Sequence, residues 1–110
     1  MKAMTHVVLM AQGQIHGGTD QITVKDRKDK VMFANADLAS AHTIQWTTKN
    51  PLKAPAKPTV SYGDPLTAEI ADANTAPNGR YRYTVKASRE AATGDAPGDG
   101  PGGGDVILNA

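Results

Sequence analysis

The side chains that can hold a metal or move a proton are few in this chain and widely spaced. Histidines stand at 6, 16 and 42, methionines at 1, 4, 10 and 32, and none of the 110 residues is a cysteine. Without a thiol, disulfides, thiolate metal sites and thiol catalysis are excluded. Met1, Met4, His6 and Met10 make a set of thioethers and an imidazole whose softness suits Cu(I). The plainer reading is a start residue followed by a strand of apolar residues. His42 is either a metal ligand or a partly buried histidine whose ring nitrogen bonds a loop carbonyl, and the second reading is preferred. His16-Gly17-Gly18 reads as a turn. No Ser, His and Asp arrangement carries a nucleophile-elbow pattern, and Gly102-Gly103-Gly104 lacks the strand-to-helix setting of a phosphate loop. No catalytic residue and no cofactor is assigned, which leaves copper on His42, His6 or Met4 as the alternative.

Charge narrows the partners. Lys and Arg number 12 against 11 Asp and Glu, so the chain has no global field of the kind a general nucleic-acid binder needs. Local patches remain. Arg80, Arg82 and Lys86 fall on one face of a strand, with Lys25, Arg27, Lys28 and Lys30 elsewhere. Such stripes contact an anionic partner or, more commonly, keep a sheet soluble and its edge protected. Asp95 and Asp99 join Arg80, Arg82 and Lys86 as interaction candidates. Val7 to Met10 is too short for a signal-peptide core and far too short to span a bilayer. The expectation is a soluble chain, cytoplasmic as it stands or periplasmic if a leader has been removed.

The elements that must position these residues follow from period-two patterns. In Lys30–Asn35, Val31 and Phe33 share a face, and in His42–Thr47 so do His42, Ile44 and Trp46. These arms hold the chain's single Phe and single Trp, and the core is expected there. His6–Met10 is apolar on both sides, which suits a strand buried on both faces or pairing at a sheet edge. Gln21–Lys25 alternates with Ile22 and Val24 inward, and Asp26–Asp29 is a polar turn. Asn35–Ala41 reads as a loop with at most one helical turn. Lys49–Pro58, with Pro51, Pro55 and Pro58, reads as a crossing loop or protected edge. Leu66–Ile70 alternates, against a competing helix over Pro65–Ala73. In Gly79–Ala87, Tyr81, Tyr83, Val85 and Ala87 take the core face while Arg80, Arg82, Thr84 and Lys86 take the wet one. Thr93–Gly104 has six glycines and two prolines and is expected to be a mobile loop, because it buries too little apolar surface to offset its ordering entropy. Val106–Leu108 closes the chain. Seven or eight short strands punctuated by turns predict a single all-β domain over 1–110, a Greek-key β-sandwich.

Gln21-Ile-Thr-Val-Lys, Asp29-Lys-Val-Met-Phe-Ala-Asn35, His42-Thr-Ile-Gln-Trp46, Gly79-Arg-Tyr-Arg-Tyr83 and Val106-Ile-Leu-Asn109, in that order, resemble the cupredoxin family of small blue-copper sandwiches over nearly the whole chain. The resemblance implies that the loop after Asn35 ends in the first copper histidine, at His42, with apolar residues at Ile44 and Trp46. It also implies a cysteine where this chain has Val85, a histidine where it has Ser88, and then a methionine for which the glycine-rich loop offers no counterpart. A blue-copper centre needs a Cys thiolate, two imidazoles and a weak axial donor, and one histidine does not replace that set.

The scaffold is therefore expected to serve another end. The leading expectation is a non-catalytic, metal-free binding or structural module that meets another protein through loops at the former copper end, chiefly Thr93–Gly104, with the Lys/Pro segment Lys49–Pro58 as a second element. The alternative, of a different class, is a copper-handling protein that keeps His42 or the N-terminal Met and His residues as ligands without the redox centre. Nucleic acid and membrane are not expected partners.

Overall fold

The computed structural model describes residues 3–47, 49–55, 57–89 and 102–110. Among these residues lie nine strands: β1 (Thr5–Ala11), β2 (Gln14–His16), β3 (Gln21–Val24), β4 (Lys30–Asn35), β5 (Ser40–Trp46), β6 (Thr59–Val60), β7 (Leu66–Glu69), β8 (Gly79–Arg89) and β9 (Gly102–Leu108). There is no helix among the described residues, so Pro65–Ala73 takes the strand reading rather than the helical one. The strands form two sheets, a four-stranded one in the order β2-β1-β4-β7 and a five-stranded one in the order β3-β9-β8-β5-β6. Both are mixed: β1 pairs parallel with β4 and β3 parallel with β9, while the other pairings are antiparallel. The architecture is an all-β sandwich.

The inner faces are those the alternation predicts. Val31 and Phe33 of β4, Ile44 of β5, Tyr81, Tyr83 and Val85 of β8, and Ile22 and Val24 of β3 are all buried in one apolar cluster. Phe33, Tyr83 and Trp46 meet edge to face across the two sheets, with ring centroids 5.6 Å apart for Phe33–Tyr83 and 5.2 Å for Trp46–Tyr83, the arrangement that ring quadrupoles favour. Trp46 itself is half-buried, at the rim of the cluster rather than inside it. It is the last residue of β5, where the sandwich opens to solvent.

Three expectations are corrected. β1 is neither buried on both faces nor a simple edge: it lies between β2 and β4, with Val8 and Met10 in the core and Val7 and Leu9 turned outward. His16, expected only in the turn, also ends β2, while the turn itself is present, made by Gly17 and Gly18, both at φ 70°, a conformation open to glycine at no steric cost, and closed by the Thr19 N–H on the His16 carbonyl at 3.3 Å. Most consequentially, Gly102–Gly104 is no mobile loop but the first half of β9, paired with Tyr83–Val85 of β8. The Gly102 N–H donates to the Gly13 carbonyl at 2.9 Å. A Cβ on Gly102 would overlap that carbonyl and lie 2.8 Å from Gln14 Cα, and one on Gly104 would lie 2.7 Å from the Tyr83 hydroxyl. These glycines let backbone and ring approach the strand, a demand that composition does not distinguish from flexibility. The remainder of that stretch, from Thr93 to Pro101, lies outside the described residues.

Candidate functional site

One end of the sandwich gathers the β1–β2 turn, the loop from β4 to β5 and the turn after β6, and Asn35 ties two of them together. Its side chain is buried. Nδ2 donates to the Ser40 carbonyl at 2.6 Å and to the Val60 carbonyl at 3.2 Å, while Oδ1 accepts from the Asp37 N–H at 2.8 Å. An asparagine fits here because it alone offers paired donors and an acceptor on one short planar group. Asp37 continues the network, accepting from the Ala39 N–H at 3.0 Å and from the Gln12 N–H at 3.3 Å. Gln12 and Gly13 form the β1–β2 turn with φ of 54° and 74°, the positive values that two-residue hairpin turns require.

That turn delivers a backbone donor to His42. The Gly13 N–H donates to His42 Nε2 at 3.0 Å, so Nε2 is an acceptor, the ring is neutral and its proton sits on Nδ1. The imidazole is completely buried and Nδ1–H has no hydrogen-bond partner. Burial lowers its pKa from the usual histidine range, with the Asp37 carboxylate opposing. His42 is thus a core histidine bonded to an amide, not to a loop carbonyl.

Among the described residues, those paired beside His42 offer copper no ligand. His42 pairs in register with Ala87 of β8 and Val60 of β6, and the neighbouring pair is Ile44 with Val85. All are hydrocarbon side chains, and no three His, Cys, Asp or Glu among the described residues are placed to hold a metal ion. His6 and Met4 stand at the other end of the first sheet, where Thr5 pairs with Lys30. His6 Nε2 lies 2.9 Å from Asp29 Oδ2, and the Met4 N–H donates to Asp29 Oδ1 at 2.9 Å. These two bonds, the amide first and the imidazole second, hold the buried Asp29 carboxyl below its ordinary pKa against the effect of burial. The structure therefore makes His6 an anchor for the N-terminal strand. Met10 is in the core and Met4 is exposed, so these two thioethers and the His6 imidazole do not converge; Met1 lies outside the described residues. Asp29 was legible only as a turn residue.

The basic stripe divides in two. Arg82 Nε donates to Asp105 Oδ1 at 3.1 Å and Arg80 Nη1 lies 3.7 Å from Oδ2 of the same carboxylate. Lys86 instead lines a groove of about 570 Å³ with Thr43, Gln45, Lys57 and Thr84. Lys57 belongs to the Lys/Pro crossing that the sequence offers as a secondary interaction segment, though nothing there singles it out from Lys49 and Lys53. Asp95 and Asp99 lie outside the described residues. Two further residues went unnoticed: Leu38, 79% exposed, and Tyr62, 56% exposed. Both sit at the His42 end. Leu38 is in the loop that Asn35 and Asp37 shape, and Tyr62 bridges to Asn35 from the turn closed by the Asp64 N–H on the Ser61 carbonyl.

No protein-family model matches the chain, and no curated protein matches it. Solved structures do. The chain is similar to a proline-to-phenylalanine mutant of amicyanin in its reduced state, at 18% identity, covering 93% of this chain and 79% of that one with a TM-score of 0.56. It is similar to a purple cupredoxin from Nitrosopumilus maritimus at 17% identity, covering 97% and 99% with a TM-score of 0.51. A cysteine protease inhibitor from Entamoeba histolytica is matched at 12% identity, 98% and 99% coverage and a TM-score of 0.51. The fold is cupredoxin-like.

Proposed function

We propose that this protein is a non-catalytic, metal-free binding module that uses the His42 end of a cupredoxin-like sandwich to engage another protein. The observation that carries the reading is the pair Leu38 and Tyr62, two large apolar side chains held out to solvent on loops that both fasten to the buried Asn35. Isolated exposed apolar residues are ordinary, but loops positioned by a rigid scaffold are where recognition residues concentrate, and tyrosine is a favoured anchor there, with Leu38 extending its apolar surface. The chemistry of this end supports the same reading, since His42 spends one nitrogen on the Gly13 amide and faces hydrocarbon. A sandwich of this shape belongs to the Entamoeba cysteine protease inhibitor, whose role is exercised on another protein.

The test is a Leu38→Ser, Tyr62→Ser double variant. Partner affinity should fall at least tenfold, with the melting temperature unchanged because neither side chain is in the core. Retained affinity would remove the proposal's support. A copper titration addresses the alternative. The reading expects no intense visible band and no stoichiometric binding that depends on His42, whereas tight Cu(I) binding lost on replacing His42 or His6 would favour copper handling.

A further inference from the structure

The two sheets present very different outer faces. On the first sheet Val7, Leu9, Met32 and Ala34 point outward. On the second, β8 presents Arg80, Arg82, Thr84 and Lys86, β5 presents Thr43 and Gln45, and β6 presents Thr59, by the same alternation that buries Tyr81, Tyr83 and Val85. Within this polar face the cations are unequal. Arg80 and Arg82 share the Asp105 carboxylate. Lys86 stands opposite Thr43 and shares its groove with Lys57, and neither ammonium takes part in an ion pair among the described residues. The lining residues are two lysines, two threonines and a glutamine, whose alkyl stems and methyl groups make up most of the groove surface, without a carboxylate or an aromatic ring. Lys57 is set there by backbone: the following residue, Pro58, accepts the Ile44 N–H at 3.0 Å, and Thr43 and Thr59 hydrogen-bond through their hydroxyls at 3.2 Å.

Two like charges in one groove repel each other, and an incoming anion removes that repulsion while adding attraction of its own. The kind of anion is narrowed by what the groove lacks. Single-stranded nucleic acid is held by stacking on aromatic side chains, and none is here. Duplex binding draws on many phosphate contacts, whereas this face has two cations outside ion pairs among the described residues, on a chain of net charge +1. Ammonium, hydroxyl and carboxamide groups laid along strands suit carboxylates and the backbone of an extended peptide. Taking the protein-binding reading as given, we propose that the groove between Lys57 and Lys86 receives an extended acidic segment of the protein partner, with each lysine facing a carboxylate. The groove adjoins the His42 end through β6, whose Thr59 and Val60 pair with Thr43 and His42, so one partner can occupy both surfaces.

The test is fluorescence anisotropy with a labelled peptide of alternating Glu and Ser, at low and at physiological salt. The wild-type protein should bind it, more weakly as salt rises. A Lys57→Glu, Lys86→Glu double variant should lose at least tenfold, the matching Gln pair should lose less, and Lys30→Glu, on the opposite sheet, should change little. Loss equal to that of Lys30→Glu would reduce the effect to net charge, and unchanged binding by the lysine variants would overturn the proposal. So would equal affinity for oligothymidylate of the same charge. The Leu38→Ser, Tyr62→Ser variant should keep the short peptide, so failure of the end-loop reading appears in that variant and failure of the groove in the lysine pair.

Discussion

Gly102 is where the correction to the sequence reading becomes measurable. Replacing it with Ala puts a methyl group onto the Gly13 carbonyl oxygen and 2.8 Å from Gln14 Cα. Both obstacles are backbone, so no side chain can rotate away, and β9 or the β1–β2 turn must move by about an ångström. Overpacking of this kind costs about 1 to 3 kcal/mol. The shift also weakens the Gly102–Gly13 hydrogen bond of 2.9 Å, worth about 1 kcal/mol. Opposing this, Ala restricts the unfolded chain and returns about 0.5 to 1 kcal/mol. The net expectation is a loss of about 1 to 3.5 kcal/mol, read as a lower urea midpoint at unchanged slope. Because the displaced turn carries the amide that bonds His42, the His42 ring resonances should shift in the same variant. If Gly102–Gly104 were instead solvated linker, Ala would be neutral or stabilising, and a loss under about 0.5 kcal/mol would refute the reasoning.

Three further outcomes follow from the same geometry. Trp46→Ala should cost about 2 to 3 kcal/mol by denaturant titration, below the full range for a buried aromatic because the ring sits at the core's rim; a loss of a few tenths would mean the edge-to-face cluster contributes nothing. Burial lowers the His42 pKa, so above its ordinary value of 6.5 both folded and unfolded states hold neutral imidazole and the protein is fully stable. As pH falls below that value the unfolded chain takes up a proton that the folded one resists, and stability should drop by at most about 1.4 kcal/mol per unit. Unfolding of the wild type and His42→Gln at pH 7 and pH 5 should show that slope only in the wild type. Asp29→Asn should remove the stability that its lowered pKa supplies above the ordinary carboxylate range and that is lost as pH falls toward its folded value; hydrogen exchange should show the Met4–His6 end of β1 opening first.

Much of the fold was legible because burial writes itself into alternation. Tyr81, Tyr83 and Val85 against Arg80, Arg82 and Thr84 gave both the strand and its inner face, and Ile22, Val24, Val31, Phe33 and Ile44 did the same. What escaped was decided by contact between backbones or by single hydrogen bonds. Gly102–Gly104 has the composition of a linker, yet its glycines are required by the proximity of Gly13 and Tyr83. Ile15 offers too little pattern to reveal a three-residue strand. The site was less legible than the fold. His42 was singled out by type, but its hydrogen bond to Gly13 joins residues 29 positions apart. Leu38 looked like an ordinary loop leucine until the Asn35 network fixed where it points, and Lys57 belonged to a proline-rich crossing until β6 laid it beside Lys86.

The central claim, that the His42 end is a protein-binding surface, is tested most directly by site-specific photo-crosslinking in the native cell. A photoreactive residue replaces Leu38 or Tyr62 in turn, and Thr67 on the outer face of the first sheet serves as the control. The account predicts one dominant covalent adduct, of the same mass from positions 38 and 62 and absent from 67. No adduct from either loop, or the same set of adducts from all three positions, would contradict it.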